Sequence, residues 1–301
     1  QMSLSSLTSL MESSFKVNEG PENFFDLLGF PDEIIDQIFS YLDLEERLRM
    51  RLNKRLNRIE ADSKYYVGSM LLTQSFTNNS EGEVYIKNRG YPLYFYRRFA
   101  HNTSIGILRI FFNDSVELNR NICSTIKEFR SITELFICFW SAEHAKEAMT
   151  DSFFFDLSRR CKFLGFNDSY VDHISPEVLT SVYKGMRDGS VSVRKVNLPN
   201  IKRETLHAFL NSLGITIRNG QVVSNRNIEA YQEYDDDYDD DVYIINIFDG
   251  FIRIAFVVCA DDDNDKNMLM GRSMKILALK NLDAEIDWER RKWIKMDVYP
   301  E

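Results

Sequence analysis

Histidines, cysteines and clustered carboxylates are the residues here that could do chemistry, and the sequence scatters most of them. His101, His144, His173 and His207 stand singly, with no His-x-x-x-His or His-x-His pair to set two imidazoles on one metal ion. Cys123, Cys138, Cys161 and Cys259 lie 15, 23 and 98 residues apart. That fits no zinc-ligand spacing and is sparse for a secreted disulfide framework, so all four read as buried thiols. No Gly-x-Ser-x-Gly elbow, Gly-x-Gly-x-x-Gly turn or Gly-Lys-Ser/Thr phosphate loop occurs. Asp168 and Asp172 could pair for acid–base work, but an exposed loop between a strand and a helix explains them equally well. The expectation is a chain without intrinsic catalysis, cofactor or metal.

The carboxylates are concentrated elsewhere. Between Glu229 and Asp265 thirteen Asp and Glu face Arg253 alone, a local charge of −12 in a chain whose net charge is −9. Two runs carry it, 229–241 and 261–265, and they flank one apolar hairpin signal. Solvated loops are the first reading and a patch for a basic partner the second. Calcium comes last, because no Gly and no closing Glu complete an EF-hand spacing. The 301-residue chain as a whole, 44% hydrophobic with 13 Gly and 6 Pro, is globular by composition and long enough for one large domain or two smaller ones. No apolar run approaches the ~18 residues of a membrane helix, and the opening lacks a signal peptide's basic start and apolar centre, so a cytoplasmic or nuclear protein is expected.

The elements that must position any site begin near residue 30. Pro31, Asp32 and Glu33 suit a helix start, and Ile34, Ile35, Ile38, Phe39 and Leu42 follow at helical spacing. Asp43 and Glu46 form a capping-box pattern for a second helical stretch, whose apolar stripe is Leu44, Leu48, Leu52, Leu56 and Ile59. Arg47, Arg49, Arg51, Lys54, Arg55 and Arg58 occupy its other positions. They read as a solvated face with stems over apolar surface; phosphate contact is the alternative, weakened by the lack of interleaved aromatics.

Residues 28–44, Leu-Gly-Phe-Pro-Asp-Glu-Ile-Ile-Asp-Gln-Ile-Phe-Ser-Tyr-Leu-Asp-Leu, followed by Arg-Leu-Arg-Met-Arg-Leu-Asn-Lys-Arg-Leu-Asn at 47–57, resemble an F-box. Phe30 stands where the family usually places Leu before the proline, and Leu56 where Trp is common; both stay apolar. The resemblance implies a three-helix module over 24–66, after a mobile tail at 1–23, that docks on a Skp1-like adaptor and through it on a cullin–RING ubiquitin ligase. By position, Pro31, Ile34, Ile35, Ile38, Phe39, Leu42 and Leu44 would carry the docking. So small a module offers more apolar surface than it can hide, which independently calls for a partner.

Beyond it, Leu108-x-Ile110-x-Phe112, Leu135-x-Ile137-x-Phe139, Leu164-x-Phe166 and Val196-x-Leu198 alternate, with first positions 27, 29 and 32 residues apart. Helical patterns follow them, the clearest opening at Ser175-Pro176-Glu177 and ending at Gly189. With Asn113 and Asn167 just after their strands, these units resemble a leucine-rich-repeat solenoid over 67–301; a layered α/β domain is the alternative. The expected class is thus α+β or α/β: a three-helix F-box, a leucine-rich-repeat-like strand–helix solenoid, and a C-terminal β-hairpin around Asp249-Gly250, with Met268–Glu301 closing the last edge. Arg109, Phe111, Phe136, Cys138, Lys195 and Asn197 would face a target protein. The implied function is the substrate receptor of a Skp1–cullin–F-box ubiquitin ligase, a non-catalytic subunit; the alternatives are a Skp1-binding adaptor without a role in ubiquitination, or RNA binding through the basic helix. Neither membrane nor nucleic acid is an expected partner.

Overall fold

The computed structural model describes residues 27–74, 82–86, 89–93, 97–112, 115–139, 146–166, 173–199, 201–218, 221–234, 242–259, 268–279 and 293–299. The chain divides into two compact units, Gln1–Ser63 and Lys64–Glu301.

In the first unit a 3-10 turn, Leu27–Gly29, precedes α1 (Asp32–Tyr41), α2 (Leu44–Met50) and α3 (Lys54–Asp62). Asp32 and Glu33 occupy the first turn of α1, where carboxylates suit the positive end of the helix dipole. The capping box is reciprocal: the Asp43 N–H donates to Glu46 Oε2 at 2.8 Å and the Glu46 N–H to Asp43 Oδ1 at 3.0 Å. The continuous stripe expected from Leu44 to Ile59 is broken, because the Asn53 side chain accepts from the N–H groups of Arg55 and Leu56 and starts a new helix. Leu52 falls in the break and is 97% exposed.

The second unit runs β1 (Tyr65–Gln74), β2 (Gly82–Ile86), β3 (Arg89–Pro92), β4 (Thr103–Phe112), α4 (Val116–Glu128), β5 (Ser131–Phe139), α5 (Asp151–Arg160), β6 (Phe163–Phe166), α6 (Pro176–Asp188), β7 (Lys195–Pro199) and α7 (Arg203–Ser212). It continues with β8 (Ile215–Arg218), β9 (Gln221–Ser224), β10 (Glu229–Tyr234), β11 (Val242–Asp249), β12 (Ile252–Cys259), β13 (Met268–Ala278), β14 (Trp293–Met296) and β15 (Val298–Tyr299). Side chains of Ser115, Thr150 and Ser175 cap α4, α5 and α6, and Gly189, at φ 80°, ends α6 in the left-handed region.

Twelve of the described strands form one sheet, in the order β14-β10-β11-β12-β13-β7-β6-β5-β4-β1-β2-β3. This corrects the expected F-box-plus-solenoid architecture. A solenoid would be a one-dimensional stack of like units, whereas here the parallel strands β1, β4, β5, β6 and β7 are only the middle of a mixed sheet. Antiparallel strands β2 and β3 extend one side, and β13, β12, β11, β10 and β14 the other. The hairpin at Asp249-Gly250 is no appendage, since β11 and β12 are interior strands of the same sheet. Nor does the segment from Met268 merely close an edge: β13 joins the parallel block to the antiparallel one. The physical reason is that the open edge of β7 needs backbone partners, and an eleven-residue apolar strand supplies them.

Register carries the core. Met70, Leu108, Leu135, Leu164, Val196, Ile276, Ile254, Ile247 and Ala230 are successive cross-strand partners, and each is at most 1% exposed. Helix residues close over such rows, as where the Phe154 ring of α5 stacks on Phe166 with centroids 6.0 Å apart. In β1, β4 and β5 the buried positions shift phase together, from Val67, Ile105 and Ile132 to Met70, Leu108 and Leu135. At that level Gly106 lies so close to β1 that a Cβ there would stand 2.6 Å from the Gly68 carbonyl oxygen. Separately, β8, β9 and β15 form a three-stranded sheet.

One buried carboxylate ties the helices to the antiparallel block. Asp249, 6% exposed at the end of β11, accepts from the Tyr183 hydroxyl of α6 and from Arg226, and lies 3.2 Å from Arg187 Nη1. Burial, then the Asp249 bond, pushes the Tyr183 hydroxyl up to about 12, so it stays a donor. Removing the shared acceptor strands these donors, so Asp249→Ala is expected to cost about 3 kcal/mol in urea unfolding and Tyr183→Phe about 1 kcal/mol. An Asp249→Ala midpoint equal to the parent's would show that the cluster holds nothing together.

Candidate partner-docking sites

The first candidate surface is α1. Its apolar residues cover an arc wider than the unit's own core can use. Ile35 and Phe39 are fully buried with Leu56 and Ile59, and Leu27, Phe30, Leu42 and Met50 pack around them. Thus two of the seven expected docking residues, Ile35 and Phe39, are core, and Leu42 lines it. Pro31, Ile34, Ile38 and Tyr41, spaced three, four and three apart on the adjacent arc, form a stripe at the surface. Pro31 is exposed, Ile34 and Ile38 are half-buried, and Tyr41 is 62% exposed, with Leu28 at 42%. Leu44 begins α2, but its side chain lies outside the described residues. Tyr41 and Leu28 are exposed apolar residues that sequence reasoning missed as docking candidates; the place of Tyr41 on the stripe follows from the helical spacing, whereas Leu28 lies in the 3-10 turn before α1.

The basic helix is spent internally. Arg47, 1% exposed, sits with its Nε 3.3 Å from Glu60 Oε1, donates to the carbonyls of Glu60 and Ser63, and lies over the Phe39 ring at 5.8 Å. Arg51 meets the same carboxylate at 2.6 Å. Burial pushes the Glu60 carboxyl up, while the Arg51 and Arg47 guanidiniums pull it back. Arg55 binds Asp32 Oδ1 through Nε at 2.8 Å and donates to the carbonyls of Leu28 and Phe30, and Arg58 reaches Asp32 Oδ2 at 2.8 Å. Four of the six basic residues thus form ion pairs within the three-helix unit, where the sequence pattern alone read them as a solvated face.

The second candidate surface is the sheet face opposite the buried rows. Leu71, Arg109, Phe136, Gly165, Asn197 and Lys275 are cross-strand partners on β1, β4, β5, β6, β7 and β13. All six expected target-facing residues lie on this face: Arg109, Phe111 and Lys195 exposed, Phe136, Cys138 and Asn197 half-buried. Arg109 stands over the Phe136 ring at 5.8 Å, Phe136 tilts against Phe163 at 4.8 Å, and Lys195 caps Phe163 at 5.2 Å. Gly165 makes room for this cluster, since a Cβ there would approach Phe163 to 2.8 Å. Sequence reasoning missed Phe163 and Lys275, because β6 is short and the partner of β13 is remote in sequence.

Among the described residues no group of three or more His, Cys, Asp and Glu could hold a metal ion, and no helix is long and apolar enough to cross a membrane. Cys161 is buried, and burial pushes its thiol up to about 12, as it does the Cys123 thiol. Cys123 and Cys138 are only half-buried, so the expectation of four buried thiols is corrected at those two. The side chain of Cys259 lies outside the described residues, as do His144, Asn113, Asn167, Asp168, Asp172, the tail 1–23 and most of both acidic runs.

No family model and no curated protein matches the chain. Among solved structures, an S-adenosylmethionine-dependent methyltransferase from Clostridium acetobutylicum is similar at 15% identity over 59% of this chain and 70% of that one. Its TM-score of 0.14 supports no argument about fold or activity.

Asp32 offers a pH test of the three-helix unit. The Arg55 hydrogen bond, with help from Arg58, holds its carboxyl below the ordinary 3.8. A lowered carboxyl adds stability that is complete above that ordinary value and is lost as the pH falls below it. Asp32→Asn is therefore expected to flatten the acid limb of the stability–pH curve, measured by helix ellipticity; an unchanged limb would show that Asp32 does not anchor the two arginines.

Proposed function

We propose that this chain is a substrate receptor of a Skp1–cullin–F-box ubiquitin ligase, docking on a Skp1-like adaptor through α1 and holding a target protein with its second unit. One observation carries the reading: α1 keeps Pro31, Ile34, Ile38 and Tyr41 at the surface while its inner arc, Ile35 and Phe39, already fills the unit's core. An apolar stripe on so small a unit, in a segment resembling an F-box, suits a helical partner laid against it. In this reading the receptor supplies no reacting group. It raises the effective concentration of a target lysine near the ubiquitin-loaded enzyme, turning a chance encounter into a near-intramolecular one.

The test is co-expression with Skp1, comparing the parent chain with Ile34→Asp/Ile38→Asp. Both positions stand outside the Ile35–Phe39 core, so the variant should keep its helix content while losing the adaptor. The expected result is a soluble one-to-one complex for the parent and separate elution for the variant, a loss of at least about a hundredfold in affinity for two buried charges. Failure of the folded parent to bind, or retention of binding by the variant, would overturn the reading.

A further inference from the structure

We propose that the open face of the sheet binds an extended acidic segment of a partner protein, laid across the strands from β4 to β13. The proposal deepens the receptor reading by naming the chemistry of its target, and rests on that reading for the partner being a target at all.

Arg109, Lys195 and Lys275 are exposed on this face, and among the described residues none of them has a carboxylate within ion-pair range. Arg47, Arg51, Arg55 and Arg58 of the helical unit, by contrast, are bound to Glu60 and Asp32. On the central strands of the open face, the same rows carry one carboxylate, Glu134, a cross-strand partner of Ile107 and Phe163. A chain of net charge −9 therefore presents unneutralised positive charge here, where an acidic partner is complementary. The spacing sets the length of the ligand. Arg109 and Lys275 are four strand steps apart in one register row, about 19 Å at ~4.8 Å per step. An extended peptide rising about 3.3 Å per residue spans that in roughly six residues. Between the two cations lie Phe136 and Phe163, half-buried, over which an aliphatic or backbone stretch can run.

A single-stranded nucleic acid fits less well. Base stacking needs bare aromatic planes, and here the rings tilt against each other and are capped by Arg109 and Lys195. Three cations spread over such a distance also make a weak phosphate track.

The test uses the full chain and fluorescence anisotropy with three labelled probes: a Ser/Gly dodecapeptide with two Glu-Glu pairs centred six residues apart, the same composition with the four Glu adjacent, and a dodecamer of thymidylate. The spaced peptide should bind about tenfold more tightly than the clustered one, and Arg109→Glu/Lys275→Glu should abolish the difference. Equal binding of the two peptides, no binding, or tighter binding of the oligonucleotide would overturn the proposal. The same charge-reversed chain should still co-elute with Skp1, and Ile34→Asp/Ile38→Asp should still bind the spaced peptide. Loss of Skp1 binding by the parent with peptide binding intact therefore sinks the receptor reading alone, and the converse sinks this proposal alone.

Discussion

The second unit depends on one constraint, the two-residue period of the strand kept in register across nine strands. Once Leu108, Leu135, Leu164, Val196 and Ile276 are locked in one buried row, the next position on every strand must face the other way. A slip of one residue on β6 alone would bury Lys195's neighbours and expose Leu164. The row that excludes water on one side therefore aligns Arg109, Phe136, Gly165, Asn197 and Lys275 on the other. The candidate surface is a by-product of core packing, and needs no separate scaffold.

The first unit depends on a different economy. A three-helix unit has few apolar residues to bury, and its helix α1 keeps part of them at the surface. What compensates is a pair of ion clusters, Arg47 and Arg51 on Glu60, Arg55 and Arg58 on Asp32, which link α2 to α3 and α3 to the start of α1. Glu60 is nearly fully buried, so it would be costly alone; two guanidiniums and the Phe39 ring above Arg47 make its burial tolerable.

Local features were legible in the sequence because local physics sets them. The capping box at Asp43 and Glu46, the Ser175-Pro176 start and Gly189 end of α6, and the Asp249-Gly250 turn all involve residues within four positions of each other. Pairings across long stretches were not. The Arg47–Glu60 pair is invisible in a run that reads as a basic face, and the Asn53 cap that breaks the stripe is one polar residue among many. The solenoid reading failed for the same reason. Alternation in Leu108–Phe112 and its counterparts identifies strands and their faces, yet says nothing of which strand completes the edge of β7. That β13 does so follows from tertiary pairing over seventy-odd residues of chain, through lengths and edges that no periodicity encodes. The shared phase shift near Gly68 and Gly106 likewise hid Val67, Ile105 and Ile132 from a strict alternation count. For the candidate sites, spacing alone placed the α1 stripe and most of the open face, but the division of α1 between core and surface required the packing itself.

The two surfaces differ in the physics by which they would hold a partner. On α1 the surface stripe is apolar, and Arg55 and Arg58 are paired with Asp32, so association there would be governed by buried area and would depend little on salt. On the sheet face the free groups are cations around a half-buried aromatic pair, so association there gains from long-range attraction and weakens as ionic strength rises. Under the proposed receptor reading, a molecule built this way would keep one partner bound while exchanging the other. The apolar contact would lack the steering field that speeds encounter and would survive salt, while the charged one would form fast and release readily. That asymmetry is what a receptor needs if its adaptor is to stay attached while successive targets come and go.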